Sequence, residues 1–379
     1  MPTFAAVKAG GTCSKAGKER LIIKKVYLCT KSGKKFTWEV KPTSKPPVTS
    51  HSPVTSPSTS ANSVPKPNEV PTSFNDLYEK RNGIAYAAWK SANQVISTGI
   101  LKNITYEQFV GPNTLLPKDA SLKFALDLTA KAFSKFEVPE RIYFIQYSVD
   151  DRSWAKTQFQ LILDSIQYTG LGDSNSISLL IERNCTPRDC GGALQLATNS
   201  GIGFVLQGIP TTAGENPGLD FDRLVSHEFF HSLQRMTIIG KTMKEFPTSW
   251  IFEGAPQLAQ NLVIANKSYE EYLSFRKSDS SNLYGKNSKV DPLFMTNYLD
   301  LNSNTDYFRN VDPYYGYNLG SRIMEILVAI KGPEVLLDLY RETALRGFES
   351  GFESAVGVSW KVASPIINKT IVKQLQEGT

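Results

Sequence analysis

The sequence predicts an α+β protein in three parts: a small disulfide-stapled β module at 1–40, a linker at 41–72 and one large domain at 73–379. Three observations lead there. Residues 41–72 contain eight Pro and twelve Ser or Thr, a composition that cannot bury a core and prefers extended, solvated conformations. The stretch before them is too short to hold a fold by burial alone, and it carries two cysteines that can staple it. The stretch after them is globular in composition. Helical and strand-like patterns mix through 73–215, and an almost wholly helical pattern runs through 216–379.

In the module, strands are expected at 21–23, 26–29 and 34–38, forming a compact hairpin closed by Cys13 and Cys29. In the domain, 74–95 reads as a helix with Leu77, Ala85, Ala88 and Trp89 among its apolar positions. A second amphipathic helix is expected at 121–136, a strand at 141–147, and a helix at 155–165. Further strands are expected at 177–181 and 203–207, then helices from Asp222 onward, with Asp222 as a cap. The Gly-bounded run 201–208 alternates loosely. It suits an edge strand that binds an extended peptide by strand addition, or an ordinary sheet strand.

The chain has 379 residues, 41% hydrophobic and 21% charged, as in soluble globular proteins. No apolar stretch approaches the roughly 20 residues of a membrane span. Residues 1–11 lack the apolar run of a signal peptide, so the expectation is either a cytosolic protein or the mature form of an exported one. The four cysteines favour export. Cys13 with Cys29 and Cys185 with Cys190 form two local pairs, which suits disulfides in an oxidising compartment. Free thiols, or a metal site at Cys185 and Cys190, are the alternatives. The net charge of +6 is concentrated in residues 1–46, which hold 11 Lys and Arg against two Glu. Such a module is expected to associate weakly with an anionic polymer, or merely to stay soluble. No nucleic-acid partner is expected.

Chemistry concentrates at His227-Glu228-Phe229-Phe230-His231, which uses two of only three histidines in the chain. Positions four apart lie one turn apart on one helix face, so both imidazoles can reach one Zn2+. Glu228 can hold water at the metal and take its proton. A catalytic zinc site needs a third protein ligand, and the remaining histidine, His51, lies in the linker. A carboxylate must serve. Glu253 is the single acid in the apolar stretch Thr248-Ser249-Trp250-Ile251-Phe252-Glu253-Gly254-Ala255, far enough along for the chain to turn back. Its rival Glu245 lies in a polar connection.

The pairing of this motif with Trp250-Ile251-Phe252-Glu253-Gly254-Ala255-Pro256 resembles the gluzincin metallopeptidases, the group of thermolysin-like enzymes and zinc aminopeptidases. Pro256 departs from the usual Ala of that group's Trp-x-x-Glu-Gly-x-Ala pattern. The resemblance covers about residues 200–345. It implies a two-lobed zincin-like fold and one Zn2+ held by His227, His231 and Glu253. It also implies peptide-bond hydrolysis by zinc-activated water with Glu228 as general base. Aminopeptidase-like members carry a Tyr-x-x-Gly at a helix start in this region, which Tyr317 and Gly320 match; the Tyr hydroxyl there serves the oxyanion. Tyr315 is the other candidate donor, and Arg322 a further contact. No Gly-x-Met-Glu-Asn segment for a substrate amine is present, which favours an endopeptidase. The module around Cys13 and Cys29 resembles a short repeat of secreted and cell-wall proteins of actinobacteria, which implies a secreted or wall-associated protein; the gluzincin resemblance implies a peptide or protein substrate. The alternative is an inactive protein of the same fold that binds at the cell surface; the Glu between the two His argues against it.

Overall fold

The computed structural model describes residues 66–378 other than 171–173, 216–217, 284–289 and 301–313, and, nearer the N-terminus, the strands at 19–22, 25–32 and 35–40. The chain divides into two units, Met1–Ala61 and Asn62–Thr379. The first contains three antiparallel strands in sequence order: β1 (Glu19–Ile22), β2 (Lys25–Ser32) and β3 (Lys35–Val40), with Cys29 opposite Trp38. The expected partner of Cys29, Cys13, lies outside the described residues, as do residues 41–65 of the expected linker at 41–72.

The second unit is α+β. It opens with turns over 73–80 rather than a helix. Asp76 accepts the backbone N–H groups of Thr72 and Ser73 at 3.0 and 2.9 Å, closing a turn that delays α1 to Ile84–Thr98. Next come β4 (Thr105–Val110), α2 (Leu122–Ala132), β5 (Arg141–Tyr147) and α3 (Arg152–Ser165). Ser121 caps α2, its hydroxyl accepting from Phe124 N at 3.2 Å.

The strand expected at 177–181 is instead part of helix α4 (Ser174–Glu182). Ile177 and Ile181 are both buried, four residues apart on one helix face, and Leu179 between them is exposed. Over so short an apolar run, length and composition suit either element. The chain then makes the Cys185–Cys190 disulfide and two further strands, β6 (Ala193–Ala197) and β7 (Gly203–Gly208).

The sheet order is β4-β5-β7-β6, with β4, β5 and β7 parallel and β6 antiparallel to β7. Within the 201–208 run, Gly203–Gly208 is therefore a fully buried interior strand, paired on both sides; the edge strands are β4 and β6. Alternate residues of β5 and β7 face opposite layers. Ile142, Phe144 and Val205 join the helical core, whereas Tyr143, Ile145, Tyr147, Phe204 and Leu206 pack with Phe159, Ile162 and Ile177 of α3 and α4.

The rest is helical: α5 (Gly218–Ile238), α6 (Ser249–Phe252), α7 (Gly254–Ile264), α8 (Tyr269–Asp279), α9 (Pro292–Asp300), α10 (Tyr314–Lys331), α11 (Val335–Arg346), α12 (Phe348–Val356) and α13 (Trp360–Glu377). Helix α10 is buried without a break from Leu319 to Val328, as befits a helix surrounded by others. Trp250 is fully buried against Trp360 and Phe348. Pro256 falls in the first turn of α7, where its missing N–H costs no intrahelical bond. Asp222 does not cap α5, which starts at Gly218. Its carboxylate accepts from Ser121 N at 2.9 Å and so ties α5 to the start of α2. Among the described residues, no helix is long and apolar enough to cross a membrane.

Candidate metal centre

Helix α5 is fixed in rotation by its apolar side. Val225, Phe229, Phe230 and Leu233 are buried in the core, and Phe230 meets Phe133 edge-on at 4.9 Å. The Ser226 and Thr129 hydroxyls share a hydrogen bond of 2.8 Å between α5 and α2. With that side locked, His227, Glu228 and His231 point into a cavity of about 590 Å³.

Glu253 enters the cavity from the break between α6 and α7, where its backbone leaves the regular helix at φ −100°. Its Oε2 stands 3.5 Å from His227 Nε2 and 3.2 Å from His231 Nε2. One ligand atom from each residue fits within a group no wider than 4.8 Å. Two imidazole nitrogens and one carboxylate oxygen are the donor types Zn2+ takes, with a fourth position left open in catalytic sites.

Gln234 adds a test of that fit. Its side-chain Nε2 donates to the carbonyls of Phe252 and Ile251 at 3.1 and 3.4 Å. Its Oε1 therefore faces His231 and accepts from Nδ1 at 2.8 Å. That assigns the ring proton to Nδ1 and leaves the Nε2 lone pair directed at Glu253 Oε2. Two lone-pair atoms 3.2 Å apart in a buried site call for a cation or proton between them.

The electrostatics follow from burial and close approach. Burial raises the Glu253 carboxyl, but His231 and His227 outweigh it and hold the group well below the usual carboxylate range. Burial pushes Glu228 up, with the two His opposing and Glu253 reinforcing the shift. Burial also raises the Tyr317 phenol far above its ordinary value, helped by the nearby charges of Glu253 and Glu228. Tyr317 therefore keeps its proton and can donate it as a hydrogen bond. Its ring stacks on His227 at 5.8 Å.

The other sequence candidates lie elsewhere. The Tyr315 ring packs in the core on Phe294. Arg322 is 1% exposed and sits near Glu325 and Gln374, away from the cavity. Glu245 is not a ligand: its carboxylate accepts from Phe348 N at 3.1 Å and caps α12. Residues 193–195 of edge strand β6 line the cavity, where the 201–208 run had been the candidate.

A smaller cavity of about 370 Å³ adjoins the first, shares His227, Glu228, Tyr317 and Ala193, and is also lined by Arg223, Gln257 and Gln260. The first has an apolar side formed by Leu194, Phe246, Pro247 and Phe252. Comparison with known protein families, curated proteins and solved structures finds no match for this chain.

Sequence reasoning missed three contributors. Gln234 is legible in principle, since it lies three residues after His231 and so on the same helix side. Strand β6 and Arg183, which also lines the cavity, reach the site through long-range pairing and leave no local signal.

Proposed function

We propose that the protein is a zinc-dependent peptidase of the gluzincin type, with a two-lobed zincin-like domain and the metal held by His227, His231 and Glu253. The observation that carries this reading is the meeting of Glu253 Oε2 with both imidazole Nε2 atoms from a separate helix, beside the buried Glu228. A bound Zn2+ would polarise a substrate carbonyl and acidify water in the open position. Glu228, its proton affinity raised by burial, accepts the proton released as water attacks and passes it to the departing amine. The Tyr317 hydroxyl donates to the oxygen that gains negative charge. Edge strand β6, half-buried along its length, pairs with a described strand on one side alone, and its other side is offered to an extended peptide. The Cys185–Cys190 disulfide, in the loop that precedes β6, is compatible with an oxidising compartment, and we place the protein outside the cell, held near anionic wall polymers by the basic module.

The test is metal analysis of purified protein together with hydrolysis of casein or a peptide library, with and without chelator. One zinc per chain and chelator-sensitive cleavage, lost in Glu228→Gln with zinc retained, is the expected result. Zinc-loaded protein that cleaves no peptide would favour the surface-binding alternative.

A further inference from the structure

Arg183 follows the last turn of α4, its N–H bonded to Leu179 O at 3.0 Å, and stands at the rim of the metal cavity. Its backbone is held rigidly. The next residue, Asn184, is buried and donates to Leu206 O at 2.8 Å, while its own carbonyl accepts from Gly191 N at 2.8 Å. The Cys185–Cys190 bridge closes the loop that follows.

The side chain, by contrast, is exposed and makes no hydrogen bond or ion pair with a described residue. The neighbouring Glu182 cannot neutralise it, because that carboxylate is shared by Arg152 and Lys156 at 2.8 Å each. Among the residues lining this cavity, which include Glu228 and Tyr317, Arg183 is the one Lys or Arg. In the adjoining cavity the situation is reversed: Arg223 is engaged by Asp279 at 2.6 Å and by Asp220.

From this we infer that Arg183 is a specificity-determining residue that selects peptides carrying a carboxylate beside the bond held at the metal. This rests on the metal-site reading above. With a divalent ion bound by neutral imidazoles, Glu228 and Glu253 balance its charge, and Arg183 leaves the cavity with one positive charge in excess. A guanidinium offers a planar fork of donors that matches a carboxylate in two parallel hydrogen bonds. The carboxylate can belong to an acidic side chain or to the peptide's own C-terminus, and the two differ in how the peptide is presented.

The experiment uses full-length, zinc-loaded protein and peptides built around a mapped cleavage site. Glu, Gln and Lys are placed in turn at each of the flanking positions, each peptide being made as C-terminal acid and amide. One flanking position should show kcat/KM for Glu over Gln of at least about tenfold, the discrimination expected of a charged hydrogen bond. Arg183→Met should collapse that ratio to near one, and Arg183→Glu should turn the preference towards Lys. If the acid-over-amide ratio rather than Glu-over-Gln shows this pattern, the carboxylate is C-terminal. A parallel arm measures binding of labelled Glu and Gln peptides to zinc-loaded Glu228→Gln protein by fluorescence anisotropy, with and without Arg183→Met. A Glu preference there that depends on Arg183, with no cleavage by the wild type, would sink the peptidase reading and keep this one. Cleavage or binding indifferent to carboxylates, or a preference that survives Arg183→Met, overturns it.

Discussion

Gly254 and Gly320 meet backbone to backbone: a Cβ on Gly254 would stand 2.4 Å from the Gly320 carbonyl carbon, and one on Gly320 would stand 2.9 Å from Trp250 Cα. This is where α6 and α7 cross α10. Glu253 immediately precedes the first glycine and Tyr317 lies one turn before the second, so the crossing sets the distance between carboxylate and phenol. The Glu-Gly and Tyr-x-x-Gly patterns are thus two sides of one contact. Gly320→Ala or Gly254→Ala should push the helices apart, costing about 1–3 kcal/mol as overpacking does. Chemical denaturation should show the lost stability, and chelator competition a weakened metal site. Wild-type values in both would mean the helices can separate without disturbing Glu253.

The proposed metal ligands are tested by removing Glu253. Glu253→Ala leaves two imidazoles from one helix and no partner from the other. Zinc affinity, measured by competition with a chromogenic chelator, should fall by more than the roughly 10–100-fold typical of losing an outer contact. Full zinc occupancy in that variant would show that another group completes the site.

Gln234 should behave as such an outer contact. Gln234→Leu removes the acceptor that keeps the His231 proton on Nδ1 and cuts the tie to the Ile251 and Phe252 carbonyls. Zinc affinity should drop by about 10–100-fold. Gln234→Glu, which can still accept from Nδ1, should recover part of it. Equal affinity in wild type and Gln234→Leu would mean that the ring is oriented by packing against Phe252 alone.

What could be read from the sequence was what is local. His227, Glu228 and His231 share one helix turn, and their apolar flanks indicate a buried helix without knowledge of its neighbours. Glu253 stood out as one acid in an apolar stretch. Strand order, by contrast, depends on pairing between distant segments. The 201–208 run carries no mark that both its edges are occupied, and β6 is too short and too evenly half-buried to show alternation. Ile177 to Ile181 reads as a strand yet is helical, because five residues do not separate a period of 2 from one of 3.6.

Tyr317 and Tyr315 make an internally controlled pair. Both lie in the first turn of α10, but Tyr317 faces His227 and Glu253 whereas Tyr315 packs on Phe294. Loss of one oxyanion donor typically costs about 2.7–4 kcal/mol in the transition state. Tyr317→Phe should therefore lower kcat by about a hundredfold or more, with zinc content unchanged and KM little altered. Tyr315→Phe should leave kcat near wild type. The opposite order of effects would exclude Tyr317 as the donor.

Asp222 gives a prediction about stability rather than turnover. Its carboxyl is buried between α5 and α2, and burial pushes its pKa up to about 6, against the single opposing hydrogen bond from Ser121 N. An unfolded aspartate titrates near about 4. Between these values the folded protein binds more protons than the unfolded chain, so this group's contribution to stability falls as pH rises from about 4 to 6. Above that range the folded state carries the full cost of a buried charge. Asp222→Asn keeps an acceptor for Ser121 N and removes the charge. The variant should be more stable than wild type at pH 7 by roughly 1–3 kcal/mol, and the two should converge below about pH 4. Denaturant titrations at intervals from pH 4 to 7 measure the difference directly. A gap between the two proteins that stays constant over that range would mean that Asp222 titrates at its ordinary value, and that the Ser121 hydrogen bond offsets its burial.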